Sequence, residues 1–309
     1  MGVKELIKFL PSNIINFNCF LSDYTTFGVG GKVLAVLMPT TKKELIKCVK
    51  VCSNLKLKFQ VIGNGSNILA PSKSTRRVVV TTRKMESAKI VKDDVLQVNA
   101  GAMISDIVLW CAERGYSGLE NLYGIPATVG GMVMMNAGAF GSQIFDNLIS
   151  IEVLDKGLIK NINKEDIEYG YHFTSLLKTG MIILSVKLKL KRLAPSVIYS
   201  KCRQIVLERN NKQPIGKSAG SVFRATEQNI PAGKLIDEAG LKGLKEGDAV
   251  VSEKHANFIL NLNNATDKNI KNLILTIQKN IKEKFGVVLK REIEYLGDRD
   301  DYYRWLSHT

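Results

Sequence analysis

Long apolar runs are missing from this 309-residue sequence. None approaches the roughly 20 residues that a membrane-spanning helix requires, so a helical membrane protein is excluded and no membrane partner is expected. Cysteine is sparse: Cys19, Cys48, Cys52, Cys111 and Cys202 are scattered and odd in number. Cys48 and Cys52 lie four apart, on one face of an expected helix, but no second pair completes a zinc site. No metal is expected; buried free thiols are. Aromatic residues make up only 7%. With no basic helix and no RNA-binding signature, the formal charge of +15 does not point to nucleic acid. The 44 Lys and Arg against 29 Asp and Glu are spread along the chain and read as a solvated surface. A positive field of this kind favours capture of anionic small molecules. Internal repeats and low-complexity tracts are absent too. Near the start, Leu6 stands where a myristoylation signal after Gly2 needs Ser or Thr, and Ile7 to Leu10 is too short for a signal-peptide core. A cytoplasmic protein is expected. The oligomeric state is not legible, and a monomer is the simplest expectation.

The hydrophobic fraction of 45% and charged fraction of 24% are those of an ordinary globular protein, and the length suggests two or three domains. Lys4 to Leu10 reads as a short helix. Leu34 to Met38 reads as a strand. Thr41 to Leu55 reads as a helix capped by Thr40 or Thr41, with Leu45, Ile46, Val49 and Cys52 on one face. Phe59 to Ile62, Arg77 to Thr81, Val95 to Asn99, Leu148 to Leu154 and Met181 to Leu190 read as strands. Met103 to Arg114 reads as a helix closed by Gly115. A boundary is expected across Arg192 to Ser196, where charge and Pro195 break the pattern. Beyond it come a helix from Val197 to Asn210, a short helix from Ala232 to Glu238, and strands at Val250 to Ser252 and Phe258 to Leu262. A long helix follows from Thr266 to Phe285, ended by Gly286, and then a last strand from Val287 to Leu296.

Two glycine-rich stretches stand out. Gly124 to Gly141 interleaves glycines with Ile125, Val129, Met132, Val133, Met134, Met135 and Phe140, too apolar for a linker. Backbone without side chains in the way suits a large flat ligand, because main-chain N–H groups can approach it closely. An ordinary tightly packed core segment would read the same way from composition. Upstream, Gly63-Asn64-Gly65-Ser66-Asn67 follows an apolar strand and forms a potential nest for an anion. Ile68 stands where a Rossmann fingerprint needs glycine, so a Rossmann dinucleotide site is disfavoured.

The pair of stretches, in this order, resembles the FAD-binding signature of the UDP-N-acetylenolpyruvoylglucosamine reductase family. So do Thr25-Thr26-Phe27-Gly28-Val29-Gly30-Gly31 and Ser117-Gly118-Leu119-Glu120. Toward the C-terminus, Ser218 to Phe223, Ala232 to Ile236 and His255-Ala256-Asn257-Phe258 resemble its later motifs, so the likeness runs from about Thr25 to Gly297. It implies an α+β chain with a vanillyl-alcohol-oxidase-like (PCMH-type) FAD-binding fold in two lobes, 1–75 and 76–195. A C-terminal α+β substrate-binding domain, 196–309, completes it, with Val287 to Gly297 returning toward the flavin. FAD would be held by Gly63, Asn64, Gly65, Ser66, Asn67 and Gly101, and by Gly124, Ile125, Pro126, Thr128, Gly130, Gly131, Asn136, Ala137 and Gly138. The chain has only His172, His255 and His308, none in these stretches, so non-covalent FAD is expected.

The reaction that the resemblance implies takes a hydride from NADPH through FAD to the enolpyruvyl double bond of a UDP-sugar, giving UDP-N-acetylmuramate for peptidoglycan synthesis. Such chemistry needs a proton donor at one carbon and a positive or acidic group at the carboxylate. Ser221 matches the family's proton donor; its residue-level alternative is a turn serine. Glu292 matches the family's glutamate at the carboxylate, and it would help only if protonated or sharing a proton. Its alternative is an exposed strand glutamate paired with Lys290 or Arg291, since alternation sets Glu292 and Glu294 against Ile293 and Tyr295. Tyr171-His172-Phe173-Thr174 matches a Tyr-Arg-x-Ser segment, so His172 stands where a carboxylate-binding arginine is usual. His172 acts there as an imidazolium, or Arg224 or Lys217 replaces it, or activity is weakened. Ala225 departs from the usual asparagine after Phe-Lys and Ala127 from glycine. Ala127 is tolerable if its φ is negative. Tyr171, Arg224 and Asn257 are substrate-binding candidates, with Tyr123, Lys212 and Gln213 behind them. The short spacing before Ser221 resembles the shorter family subtype. The alternative to the reductase is an FAD-binding paralogue with weakened activity or a different carboxylate substrate.

Overall fold

The computed structural model describes residues 5–297. Lys4 and His308 therefore lie outside the described residues. The chain divides into two compact units: Met1–Phe17, Leu34–Asn64 and Arg76–Arg209 form the first, and Asn18–Val33, Gly65–Thr75 and Asn210–Thr309 the second.

In the first unit, a four-stranded sheet runs in the order Ile15–Asn16, Ala35–Leu37, Val78–Thr81, Phe59–Ile62, parallel except for its first pair. Helix α1 (Leu6–Phe9) and helix α2 (Lys42–Asn54) accompany it. The Thr41 hydroxyl accepts from the Glu44 amide and caps α2, as its sequence position requires. Leu45, Cys48 and Cys52 are fully buried in the core beneath this sheet. Burial pushes the Cys48 thiol up to about 12 and the Cys52 thiol up to about 11, so both are inert thiols. A five-stranded antiparallel sheet follows, in the order Leu158–Asn163, Leu148–Asp155, Ile182–Lys189, Val95–Asn99, Ala88–Lys92. Its outer strands, Ala88–Lys92 and Leu158–Asn163, are not legible in the sequence. Both are edge strands with mostly exposed or half-exposed residues, so no alternating apolar face marks them. Helix α3 (Ile104–Glu113) and the short helix α4 (Val129–Met135) pack into the core beside this sheet.

Helix α5 spans Pro195–Lys212, starting two residues before the expected Val197. Pro195 occupies the first helical position, where a missing N–H costs nothing. Position 195/196 thus falls inside the first unit, while 18–33 and 65–75 of the first expected lobe belong to the second unit.

The second unit has a three-stranded antiparallel sheet of Lys245–Glu246, Ala249–Val251 and Ile259–Asn261. Helix α7 (Asp267–Phe285) packs on this sheet, and helix α6 (Ala232–Glu238) packs against α7. Thr266 and Asn269 form a reciprocal capping box at the start of α7, and Gly286 ends it in the left-handed conformation. Ile270, Leu273, Ile274, Ile277 and Ile281 bury one face of α7, each contributing about 1.5–3 kcal/mol. The expected last strand from Val287 to Leu296 is corrected to a strand of two residues, Glu294–Tyr295, parallel to Ile68–Leu69. Its neighbour changes midway: the Glu292 amide donates to Val222 O, whereas the Glu294 amide donates to Asn67 O. A segment shared between an antiparallel and a parallel neighbour forms no continuous ladder with either.

Asp267 ties three elements of this unit together. Its carboxylate accepts from the Ser72 amide at 3.0 Å and from the Tyr295 hydroxyl at 3.0 Å, and pairs with Lys271 at 3.2 Å. Burial opposes its ionisation, but the Ser72 amide and the Lys271 ammonium outweigh that and hold the carboxyl below its ordinary range. A depressed acid stabilises the fold above its unfolded-state value and loses that contribution as pH falls through the folded one. Asp267→Asn is expected to lower stability at neutral pH by about 1–3 kcal/mol. Thermal melts of parent and variant should converge as pH falls; a gap that persists at acid pH would show that the carboxylate charge is not its source.

Candidate active site

Each compact unit holds part of the expected site. In the first, the Phe59–Ile62 strand presents Gly63 and Asn64. A Cβ on Gly63 would collide with Thr128 Oγ1, so only glycine allows this approach. The Asn64 side-chain amide donates to Pro126 O at 2.6 Å, and Arg83 Nη2 donates to Asn64 O at 2.9 Å. The two glycine-rich stretches, about sixty residues apart in sequence, are thus in direct contact. Thr128 also caps α4 by accepting from the Gly131 amide. Ala127 is not among the residues with positive φ, so it fits where glycine is usual. At Gly124, φ is +82°, its amide donates to Ser105 Oγ, and Arg209 Nε would lie 3.0 Å from an added Cβ. Ile125 is half-buried against the core.

Other cofactor candidates serve packing in this structure. Gly130 lies against Ala100, and a Cβ on Gly101 would strike Thr82 O. Gly138 lies within a tight hairpin against Ser142 and Gln143. Asn136 is fully buried, and its amide nitrogen donates to Gln143 Oε1 and Gly170 O, both at 2.8 Å. Asn136, Ala137 and Gly138 follow the last turn of α4, one helix length (about 10 Å) from Thr128.

His172 occupies the tip of a hairpin formed by Tyr169–Gly170 and Phe173–Thr174, with φ +50°. Histidine is among the few non-glycine residues enriched in that region, so the turn suits it better than arginine. Its ring lies 4.2 Å from that of Tyr171, which is 68% exposed. The Thr174 hydroxyl, donating to Met134 O, and the Asn136 amide on Gly170 O fix the hairpin to the end of α4.

In the second unit, Gly65 has φ +66° beside Tyr24 O, and Ser66 and Asn67 follow it half-buried. Asn67 Nδ2 donates to Glu292 O at 3.1 Å. Ser221, half-buried after Gly220 (φ +74°), begins a short extended segment. Antiparallel bridges flank that segment, Ser221 with Phe258 on one side and Phe223 with Arg291 on the other. Glu292 is 9% exposed, and the ammonium of Lys290 pairs with Glu227, so the exposed Lys290-paired glutamate is not what the structure shows. Arg224 Nε is buried without a hydrogen-bond partner, a donor suited to an anion. Asn257 does something other than the expected substrate contact: its Oδ1 accepts from the Phe223 amide at 3.0 Å and its Nδ2 donates to Phe223 O at 2.8 Å. Glu294 is a residue of this site that sequence reasoning does not single out. Burial pushes its carboxyl above the ordinary range although Arg224 and Arg291 pull the other way. Alternation already sets it on the face of Glu292; only tertiary packing shows that Glu292 is buried and Glu294 half-buried there. Lys217 lies along Gly28, while Lys212 is exposed and Gln213 half-buried.

Comparison with known proteins agrees with this picture. Residues 33–159 match the model of an FAD binding domain, and residues 210–296 match that of the UDP-N-acetylenolpyruvoylglucosamine reductase C-terminal domain. The chain is 38% identical to the UDP-N-acetylenolpyruvoylglucosamine reductase of Caldicellulosiruptor saccharolyticus, over 90% of each chain. It is 37% identical to that of Clostridium tetani, over 96% of each. The crystal structure of UDP-N-acetylenolpyruvylglucosamine reductase from Thermus caldophilus superimposes with a TM-score of 0.77 at 35% identity, covering 90% of this chain and 98% of that one. The expected α+β FAD-binding fold is borne out by these matches. Among the described residues, no helix is long and apolar enough to cross a membrane.

Proposed function

The chain belongs to the UDP-N-acetylenolpyruvoylglucosamine reductase family, and on that footing we propose that it is an FAD-dependent oxidoreductase that reduces UDP-N-acetylglucosamine enolpyruvate to UDP-N-acetylmuramate in peptidoglycan synthesis, with NADPH as reductant. The observation that carries this reading is the contact between the two glycine-rich stretches, through Gly63 with Thr128 and Asn64 with Pro126. The residues present fit FAD: glycine at 63 and 124 keeps the backbone of both stretches slim where it packs against Thr128 and Arg209, and the guanidinium of Arg83 on Asn64 O stands ready for an anionic group. Neither histidine nor cysteine stands in these stretches, which supports non-covalent binding.

FAD, when bound, supplies hydride transfer from NADPH to the enolpyruvyl group. The side chains supply positioning and protons. The Ser221 hydroxyl delivers a proton to the carbon that does not receive hydride. Glu292, buried and bonded through its amide to Val222 O, supports a role at the substrate carboxylate. Arg224 offers its unsatisfied Nε to the substrate's diphosphate or carboxylate. Small molecules only, a cytoplasmic setting and a monomer belong to the same reading, and the buried thiols of Cys48, Cys52, Cys111 and Cys202 support a reducing compartment.

The test is anaerobic. The purified protein should be yellow, bleach on addition of NADPH, and recover its spectrum when the enolpyruvyl UDP-sugar is added. A protein that bleaches and stays bleached with this sugar would overturn the substrate assignment. It would favour the second reading, another carboxylate acceptor, which draws on His172 standing where arginine is usual. The same assay defines the role of His172. A guanidinium binds a carboxylate bidentately, which a single imidazole does not. His172→Arg is therefore expected to lower the KM for the enolpyruvyl sugar severalfold if this side chain faces the substrate carboxylate. An unchanged KM would remove His172 from carboxylate binding.

A further inference from the structure

The His255-Ala256-Asn257-Phe258 motif has no place in the reaction described so far, yet it is built around a chain of hydrogen bonds that leads to Val222 and Phe223, next to Ser221. Asn257 grips Phe223 by both side-chain atoms, and its own carbonyl accepts from the Val222 amide at 2.9 Å. Phe258 bridges to Ser221. The segment from Ser221 to Arg224 is thus held along one edge by these two residues. Asn257 is in turn held by a histidine: its backbone N–H donates to His255 Nδ1 at 3.2 Å. A backbone N–H can only donate, so Nδ1 must be the bare nitrogen of a neutral ring. Around this point Phe258 N donates to His255 O at 2.9 Å, and the Ser252 hydroxyl accepts from the Lys254 and His255 amides. The His255 ring packs edge-on against Phe258 at 4.8 Å. Gly233 of α6 closes the other side, where an added Cβ would lie 3.3 Å from His255 Cε1.

We propose that His255 is a positioning residue for the reaction: its neutral Nδ1 holds the turn that carries Asn257, and Asn257 sets the segment bearing Ser221 and Arg224. This rests on the reading above that Ser221 delivers the proton. Protonation would turn Nδ1 into a donor facing the Asn257 N–H, and the turn would lose its anchor. The surroundings oppose that change. Burial first, and the ammonium of Lys242 second, hold the imidazole below its ordinary range. Lys242 is itself paired with Asp237 at 2.6 Å, and Glu253 and Lys254 precede His255 on its own turn. Ser221 is therefore kept in place at neutral pH and released in acid.

The experiment follows flavin reoxidation by the enolpyruvyl UDP-sugar in the holoenzyme, with flavin reduction by NADPH as internal control. His255→Ala should slow reoxidation by roughly 10- to 100-fold, chiefly in kcat. His255→Asn places an acceptor oxygen where Nδ1 stood, and it should recover most of that loss. The parent should lose rate as the medium is acidified, and His255→Asn should lack that limb. Parental rates in His255→Ala, or no recovery in His255→Asn, would overturn the proposal. If the alanine variant does not fold, the acid limb decides: its persistence in His255→Asn counts against His255. A parent that binds FAD but is not reoxidised by this sugar marks failure of the reductase reading instead. Nitrogen NMR of the His255 ring then decides between the two outcomes, a protonated Nδ1 at neutral pH overturning the proposal and a bare Nδ1 supporting it.

Discussion

Ser221→Ala should leave flavin reduction by NADPH at its parental rate and slow reoxidation by the enolpyruvyl sugar by about 10²-fold or more. The substitution removes one oxygen and little else. The backbone there is fixed independently of the side chain, by the bridge to Phe258 and by the Val222 amide on Asn257 O. Ser221 is only half-buried, so alanine leaves no appreciable cavity. A hydroxyl is a weak acid, and its work depends on being held where the proton is needed rather than on its acidity. Solvent can protonate the same carbon, but without orientation, which is why the expected loss is large. Equal reoxidation rates in parent and variant would take Ser221 out of the mechanism. Loss of both half-reactions would place it in flavin binding.

The second large effect is on folding. Gly101→Ala places a methyl group onto Thr82 O, 2.6 Å from the Thr82 carbonyl carbon and 3.0 Å from Met85 Cβ. Thr82 cannot retreat cheaply. Its amide donates to Ile62 O at 3.0 Å, and its carbonyl accepts from Met85 N at 2.7 Å. It is also nearly fully buried, at 5% exposure. Breaking such a contact is expected to cost more than about 3 kcal/mol. Gly141→Ala is the control. That glycine has positive φ (+76°), but nothing lies within 4 Å of an added Cβ, so about 1 kcal/mol is expected. Thermal melts of the FAD-free proteins should show the Gly101→Ala deficit in full. A deficit that appears only when FAD is bound would mean that Gly101 contacts the ligand rather than the Thr82 carbonyl.

How much of the fold is legible in the sequence depends on the range of the interaction concerned. Helix α7 is readable to its last residue, because Thr266, Asn269 and Gly286 act within one turn of the ends they cap. The strand Ile182–Lys189 is readable because Val186 and Leu188 alternate with exposed Lys187 and Lys189. The family motifs single out Gly63, Thr128, Ser221 and Glu292 by their places in the chain. Edge strands are not readable, since Leu158–Asn163 shows no buried face. The segment after Gly286 reads as one strand because its apolar spacing does not reveal two different partners.

The capped ends of α2 and α7, the central strands and the two glycine stretches follow from the sequence alone, since they depend on side chains and φ preferences a few residues apart. Only the tertiary structure decided what those residues face. Asn136 and Asn257, amides that could have touched a ligand, spend their hydrogen bonds on Gly170 and Phe223. Gly101 answers to the Thr82 carbonyl, and Glu294 is half-buried beside Arg224 and Arg291. His255 stands two residues from Asn257, but its use of a bare Nδ1 depends on a turn closed by Ser252 and packed under α6. The reason is common to all five. A polar group or a glycine shows in sequence only what it is able to do, and burial, set by residues far away along the chain, selects which of those options remains.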